Sequence, residues 1–282
     1  MILLTGASGT IGRETLTGLR AMGEEVRLAS RAPHMPGTPD IEVVAFDWDN
    51  PASYRPAMEG ADKLFLLTPN SERQAGYVLQ AVAVARRVGI KRIVRLSVHG
   101  ADDDPGIALT RQHLLAEKEI RQSGLGWTIL RPAFFMENFT NYYGVNPNAD
   151  SHVLLPNGTG KAAWTDPADI GEAAAKVLAM EGYEGQVFEL TGPELLSTAE
   201  ALAILGEELG HDYRYVDVPE DAARKAMEDS KTMPEWLVDA FLELNALVRN
   251  GHAETVKPGI REILGREPRS LRDWARRLAA RR

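Results

Sequence analysis

The sequence predicts an α/β fold: a doubly wound parallel sheet, followed by a smaller, mostly helical C-terminal lobe. Three observations predict it. Short apolar runs alternate with amphipathic segments through the first half of the chain, and such alternation means parallel strands joined by right-handed helical crossovers. Glycines stand where the helical segments end, at Gly23, Gly89 and Gly124. A glycine-rich turn, TGASGTIG, separates the first apolar run from the first helical segment.

The elements follow in order. Residues 1–5 read as a strand covered on both faces, and residues 11–22 as a helix stopped by Gly23. Residues 25–30 and 41–46 are the second and third strands. Asn50 is placed to cap a short helix that begins at Pro51. Residues 62–68 form the fourth strand, and 71–88 a long helix with arginines in its last turn, which suits the helix dipole. Strand 91–97, helix 108–123 and strand 125–131 complete the series. We expect a nucleotide-binding domain over 1–150, with 166–192 returning to it as a helix opened by Asp166 and Pro167 and a strand at 186–191. Residues 151–165 join it to a lobe over 193–282. That lobe holds a helix capped by Ser197, a strand at 212–218, and helices near 219–228, 234–249 and 270–281.

Composition narrows the partners. The 282 residues carry a formal net charge of −8, which argues against a nucleic-acid partner. The arginine-rich end, 266–282, spaces Leu271, Trp274 and Leu278 as one face of an amphipathic helix and reads as a solvated surface. There is no cysteine, so disulfides, thiolate catalysis and cysteine-held metals are excluded. No leader pattern and no apolar run near the roughly 20 residues of a bilayer span is visible. A soluble, cytoplasmic protein with no membrane partner and no metal is expected.

The glycine turn carries the first chemistry. Gly6, Gly9 and Gly12 follow a strand and open a helix. The first glycine permits the turn, the second lets the backbone approach a diphosphate, and the third lets helix and strand pack closely. The helix N-terminus adds partial positive charge. Gly6, Ser8, Gly9, Thr10, Ile11 and Gly12 are therefore candidate dinucleotide-binding residues. An acidic residue that would bind a ribose 2′-hydroxyl is expected about 20 residues on. Ser30 and Arg31 stand there instead. A small hydroxyl and a cation suit a 2′-phosphate, so NADP(H) is expected in preference to NAD(H), with Arg13 or His34 assisting. Further strand ends supply Asp47 for the adenine, Thr68 and Pro69 beside the ribose and nicotinamide, and Ser97 and Val98 at the reacting end.

TGASGTIG, the arginine after the second strand, LLTPN, LSVHGAD, HLLAEKEIRQSGLGWTILRPAFFMENF and the late TGPE together resemble the NmrA-like branch of the atypical short-chain dehydrogenase/reductases. Within it, they are most similar to bacterial NAD(P)H:quinone oxidoreductases and to triphenylmethane- and azo-dye reductases. The resemblance implies a Rossmann fold, an NAD(P) cofactor, a small-molecule hydride acceptor and a homodimer. It also exposes a departure. The superfamily's Tyr-x-x-x-Lys slots fall on Leu109 and His113, and leucine cannot protonate an alkoxide. Ser97 matches the serine region. Ser97 and His113 are the candidate catalytic residues, His113 doubling as a cofactor contact. With an ordinary pKa near 6.5, His113 suits an acid at neutral pH. Glu117, one turn on, is placed to orient its ring, while Lys118 turns to solvent.

Phe134, Phe135, Asn138 and Tyr142 follow the sixth strand in an aromatic-rich run and are candidate acceptor contacts, with Trp164 as a second wall. The functional expectation is an NADPH-dependent reductase of a quinone or similar conjugated acceptor. The alternatives are a non-enzymatic NADP sensor of the NmrA type and a biosynthetic reductase of a specialised metabolite.

Overall fold

The computed structural model describes residues 1–32, 40–103, 106–231 and 233–280. β1 (Ile2–Leu4) is apolar and buried at every position, and it takes the middle of a parallel sheet. α1 (Thr10–Ala21) returns the chain to β2 (Val26–Ser30) and β3 (Glu42–Ala45) on one side. Asn50 caps a 3-10 turn at Pro51–Ser53 by accepting the Ala52 N–H at 3.2 Å. α2 (Tyr54–Met58) then leads across to β4 (Lys63–Leu66), which pairs with the other side of β1. α3 (Gln74–Val88), β5 (Arg92–Leu96), a second 3-10 turn (Ala101–Asp103), α4 (Ala108–Gln122) and β6 (Gly126–Pro132) extend the sheet. α3 begins later than expected because Ser71 forms a local turn, its Oγ accepting the Arg73 N–H at 3.1 Å. Gly89 ends α3 in the left-handed conformation.

Next come α5 (Asn138–Asn141), β7 (Ser151–Leu155), β8 (Lys161–Ala162), α6 (Pro167–Ala179), β9 (Gln186–Leu190) and β10 (Leu196–Ser197). They are followed by α7 (Thr198–Leu209), β11 (Tyr213–Asp217), α8 (Glu220–Ser230), α9 (Glu235–Arg249), α10 (Gly259–Leu264) and α11 (Leu271–Ala279). The seven-stranded sheet runs β3-β2-β1-β4-β5-β6-β9, and every neighbouring pair is parallel. Its order reverses between β1 and β4, and ligands of such sheets sit beyond the strands' carboxyl ends at that point.

The chain divides into two units. The first comprises residues 1–132, 167–190 and 259–265, and the second 133–166, 191–258 and 266–282. In the first, Leu3, Leu64, Leu66 and Ile93 pack against Val78, Val82 and Ile120 of the crossover helices. On the sheet's other face, α1 and α6 meet through glycines. A Cβ on Gly18 would lie 2.7 Å from the Ala175 Cβ, and one on Gly171 would lie 2.2 Å from the Glu14 Cβ. The second unit is built around Phe139, Trp164, Leu202, Leu205 and Trp274. Capping boxes open two of its helices, Ser197 with Glu200 for α7 and Ser270 with Asp273 for α11.

Two boundaries differ from the sequence-based division. Residues 133–150 belong to the second unit, and 151–165 are not a plain joint. β7 pairs in parallel with β11, from Ser151 opposite Tyr213 to Leu155 opposite Asp217, and this draws the segment into the second unit's core. Residues 259–265 return to the first unit. Gly259 lies so close to β9 that a Cβ there would be 2.4 Å from the Glu189 carbonyl oxygen. The last predicted helix ends at Ala279, and Arg281 lies outside the described residues. Among the described residues no helix is long and apolar enough to cross a membrane, and no group of three metal-ligating side chains is positioned to hold an ion.

Candidate active site

The glycine turn is shaped by contacts with its own fold. Gly6 adopts φ +67, which an L side chain resists, and a Cβ there would be 2.5 Å from the Leu67 Cδ2. Gly12 is buried against the turn, where a Cβ would lie 2.1 Å from the Gly6 carbonyl oxygen. Gly9 differs. It is exposed, and a Cβ on it would only touch the Gly6 oxygen at 3.4 Å. Gly9 is the N-cap of α1, which has no side-chain cap and no acidic residue in its first turn. The N–H groups of that turn are thus open to an anion. Ser8 and Thr10 are exposed beside them, while Ile11 buries its side chain and offers backbone alone. Thr5 seals the reversal between β1 and β4, its hydroxyl accepting the Leu67 N–H at 2.8 Å.

The other strand ends divide into open and committed side chains. Arg31 is exposed, and among the described residues no hydrogen bond or ion pair holds it. Ser30 accepts the Ala32 N–H at 3.1 Å, shaping the turn that carries Arg31. Arg13 is exposed on α1, and His34 lies outside the described residues. Asp47 spends one carboxylate oxygen on its own turn, accepting the Asp49 N–H at 3.0 Å. Thr68 is buried, its hydroxyl donating to Gln74 at 3.0 Å and accepting from Arg95 Nη2 at 3.1 Å. Its side chain is therefore occupied inside the fold. Pro69 is exposed and Val98 half-buried beside their strand ends.

The reacting end departs most from expectation. His113 is buried, with its Nδ1 unpartnered. Burial, and then the Arg95 guanidinium, hold its pKa well below the usual 6.5. At neutral pH it is an uncharged imidazole, which corrects the expectation of an acid poised near neutrality. Arg95 is itself fully buried and pushed down to about 9 by desolvation, with Glu117 opposing that shift. Nor does Glu117 orient His113. It has no exposed surface, and both its oxygens are taken. Oε1 accepts from Ser97 Oγ at 2.5 Å and Arg131 Nε at 2.9 Å, and Oε2 from Arg131 Nη2 at 2.5 Å and Arg121 Nη2 at 3.1 Å. Charge-assisted bonds to two arginines outcompete a neutral imidazole one turn away. Lys118 is exposed.

A pH dependence follows for stability. The folded pKa of His113 is depressed, so the unfolded chain binds the extra proton first as pH falls below about 6.5. The contribution is fully present above that pH and is lost on acidification toward the folded value. His113→Asn is expected to flatten the decline in Tm between pH 7 and pH 5; an unchanged slope counts against the assignment.

Within the second unit, Trp164 is corrected. It is 2% exposed, packs tilted against Phe139 at 4.6 Å centroid distance, and donates to the Leu196 carbonyl at 3.4 Å. It is core and leaves no surface for an acceptor. Phe134 is half-buried against it at 5.6 Å, Phe135 and Asn138 are half-buried, and Tyr142 is exposed. Met136, Phe139 and Tyr143 of the same run are buried core.

Arg95 and Arg131 escaped the sequence reading. Each interrupts an apolar strand, in RIVRL and GWTILRP, and a charge inside such a run is the signal that would have found them. Arg131 is gripped by Glu117, by Asp102 through both terminal nitrogens (2.6 and 2.7 Å), and by Glu189 at 3.1 Å.

A parallel sheet with the glycine turn at its reversal, a helix opening without a side-chain cap and, after β2, an arginine that no bond among the described residues holds is a Rossmann-like, dinucleotide-binding type of fold. The chain belongs to the NAD(P)H-binding family, whose profile matches residues 6–181. It is 31% identical to an NAD(P)H azoreductase of Xenophilus azovorans, over 99% of this chain and 98% of that one. It is 33% identical to a (4-alkanoyl-5-oxo-2,5-dihydrofuran-3-yl)methyl phosphate reductase of Streptomyces griseus subsp. griseus, over 98% and 96% of the two chains. A solved NADPH-dependent quinone oxidoreductase of Escherichia coli, in complex with NADPH, superposes with a TM-score of 0.88 at 25% identity, covering 99% of each chain.

Proposed function

We propose that this protein reduces a quinone or similar conjugated small molecule with NADPH. The observation that carries the reading is the reacting end itself. Leu109 and a buried, uncharged His113 stand where the superfamily keeps a proton relay. Such a site suits acceptors that take hydride without a strong acid, because the oxyanion formed is delocalised and solvent protonates it. The cofactor supplies the hydride when bound. The azoreductase and quinone oxidoreductase relatives support this class of acceptor. Phe134, Phe135, Asn138 and Tyr142, the expected acceptor contacts, keep some exposed surface in the second unit.

The chain's own groups would hold the cofactor. The N–H groups that open α1 meet the diphosphate, and Gly9 lets it approach. Arg31 meets the 2′-phosphate, which supports NADPH over NADH. NADPH oxidation against a panel of quinones, azo dyes and enones tests the activity; tight NADPH binding without turnover of any would overturn it. Arg31→Ala is expected to raise the KM for NADPH by about 10- to 100-fold, the loss of one charge-assisted pair. The KM for NADH should not move, and an equal effect on both cofactors would refute the role.

A further inference from the structure

The hydroxyl of Ser97 has one hydrogen, and the structure shows where it goes. Ser97 follows β5 at the sheet's carboxyl edge, 5% exposed, with its N–H donating to the Leu130 carbonyl at 2.7 Å. Its Oγ lies 2.5 Å from Glu117 Oε1. Glu117 accepts four bonds in all, three of them from Arg131 and Arg121. A carboxylate so surrounded by guanidinium donors can only accept, and two oxygens offer about four acceptor positions. Ser97 must therefore be the donor in that bond. Nothing of its hydroxyl is left for a second partner except lone pairs.

We propose that Ser97 serves as a hydrogen-bond acceptor for the nicotinamide riboside half of the cofactor, taking a ribose hydroxyl or carboxamide N–H. It does not donate to the reducible substrate. Glu117, anchored by Arg131, is the positioning residue that sets this polarity. A serine so oriented cannot polarise a carbonyl or stabilise an oxyanion, because both tasks need the hydrogen that Glu117 holds. It can fix the nicotinamide end, whose ribose hydroxyls and amide are donors. The inference rests on the proposed binding of NADP(H) along the carboxyl ends of the sheet. It agrees with a reaction that leaves protonation to solvent.

The test compares two probes. NADPH carries the nicotinamide half, and adenosine 2′,5′-bisphosphate lacks it. Ser97→Ala is expected to weaken NADPH about tenfold, the loss of one hydrogen bond. It should leave the bisphosphate's Kd unchanged and raise the KM for NADPH in step with its Kd. Three outcomes would overturn the proposal. One is an unchanged Kd for NADPH with kcat lowered tenfold or more, which would make Ser97 a donor to the substrate. Another is equal weakening of both probes. The third is no change in any quantity. Glu117→Ala frees the serine's hydrogen and is expected to reproduce the same split between the probes, which a merely structural role would not. Equal losses would remove Glu117 from the scheme, and if that variant does not fold, Ser97→Ala decides alone. Failure of wild-type NADPH to bind or turn over would instead strike the proposed function.

Discussion

Gly12→Ala is expected to abolish NADPH binding, raising its Kd more than about 100-fold, and to destabilise the fold by about 1–3 kcal/mol or more. The added Cβ would sit 2.1 Å from the Gly6 carbonyl oxygen and 2.7 Å from the Ala7 Cα. Both are backbone, so no side chain can rotate away. The turn has little room to yield, because Gly6 is held at φ +67 and its carbonyl accepts the Gly9 N–H at 3.0 Å. Displacing Gly6 reshapes the turn proposed to carry the diphosphate. Gly9→Ala is the contrast. Its Cβ makes only an ordinary contact, so Tm should hold while binding falls if the backbone meets the phosphates at Gly9 as proposed. Fluorescence titration with NADPH and thermal melts of both variants check the pair. Gly12→Ala binding within threefold of wild type would show that the turn is more pliable than its contacts imply.

Arg131→Met should be the most damaging change away from the glycine turn. Burial opposes the charge on Arg131, but its hydrogen bonds to the carboxylates of Glu117, Asp102 and Glu189 outweigh burial and raise its pKa, so it stays protonated throughout the working range. Removing it leaves the fully buried Glu117 facing Asp102 and Glu189 without their common partner. Breaking one side of a buried ion pair costs about 3–5 kcal/mol, or roughly 10 °C in Tm for a chain of this size. Adding Glu117→Leu to that variant should recover a large part of the loss, because the buried charge left with only Arg121 as a cationic partner goes with it. Additive losses in this double-mutant comparison would mean that the two side chains contribute independently.

The parts of the fold that the sequence made legible are those governed by local rules. β1, β4 and β5 are buried on both faces, and their runs say so without reference to a partner. Asn50, Gly89 and Ser197 act on neighbours a few residues away, and each was readable for that reason. β7 was not. Its alternating pattern over five residues gains meaning only opposite β11, some sixty residues later. The aromatic run after β6 looked like a binding wall because its composition is unusual. Packing divides it, sending Met136, Phe139 and Tyr143 inward with Trp164 and leaving Phe135, Asn138 and Tyr142 with exposed surface.

The site divides in the same way. A glycine turn is a property of the backbone, and the residue after β2 is placed by the strand that carries it. The sequence by itself therefore determined the glycine turn and the arginine that follows β2. It also determined the absence of a tyrosine relay, since Leu109 has no proton to give. Only the tertiary structure decided how the buried polar groups pair. Helical spacing put Glu117 one turn from His113, which was true and insufficient. Arg131 arrives from β6, Asp102 from the turn after β5 and Glu189 from β9, and the charge of Arg95 acts on His113 from β5. Pairing of buried charges is chosen by electrostatic strength among groups that the sheet brings together. Chain spacing can say that an imidazole and a carboxylate share a face, but not that an arginine from another strand reaches the carboxylate first.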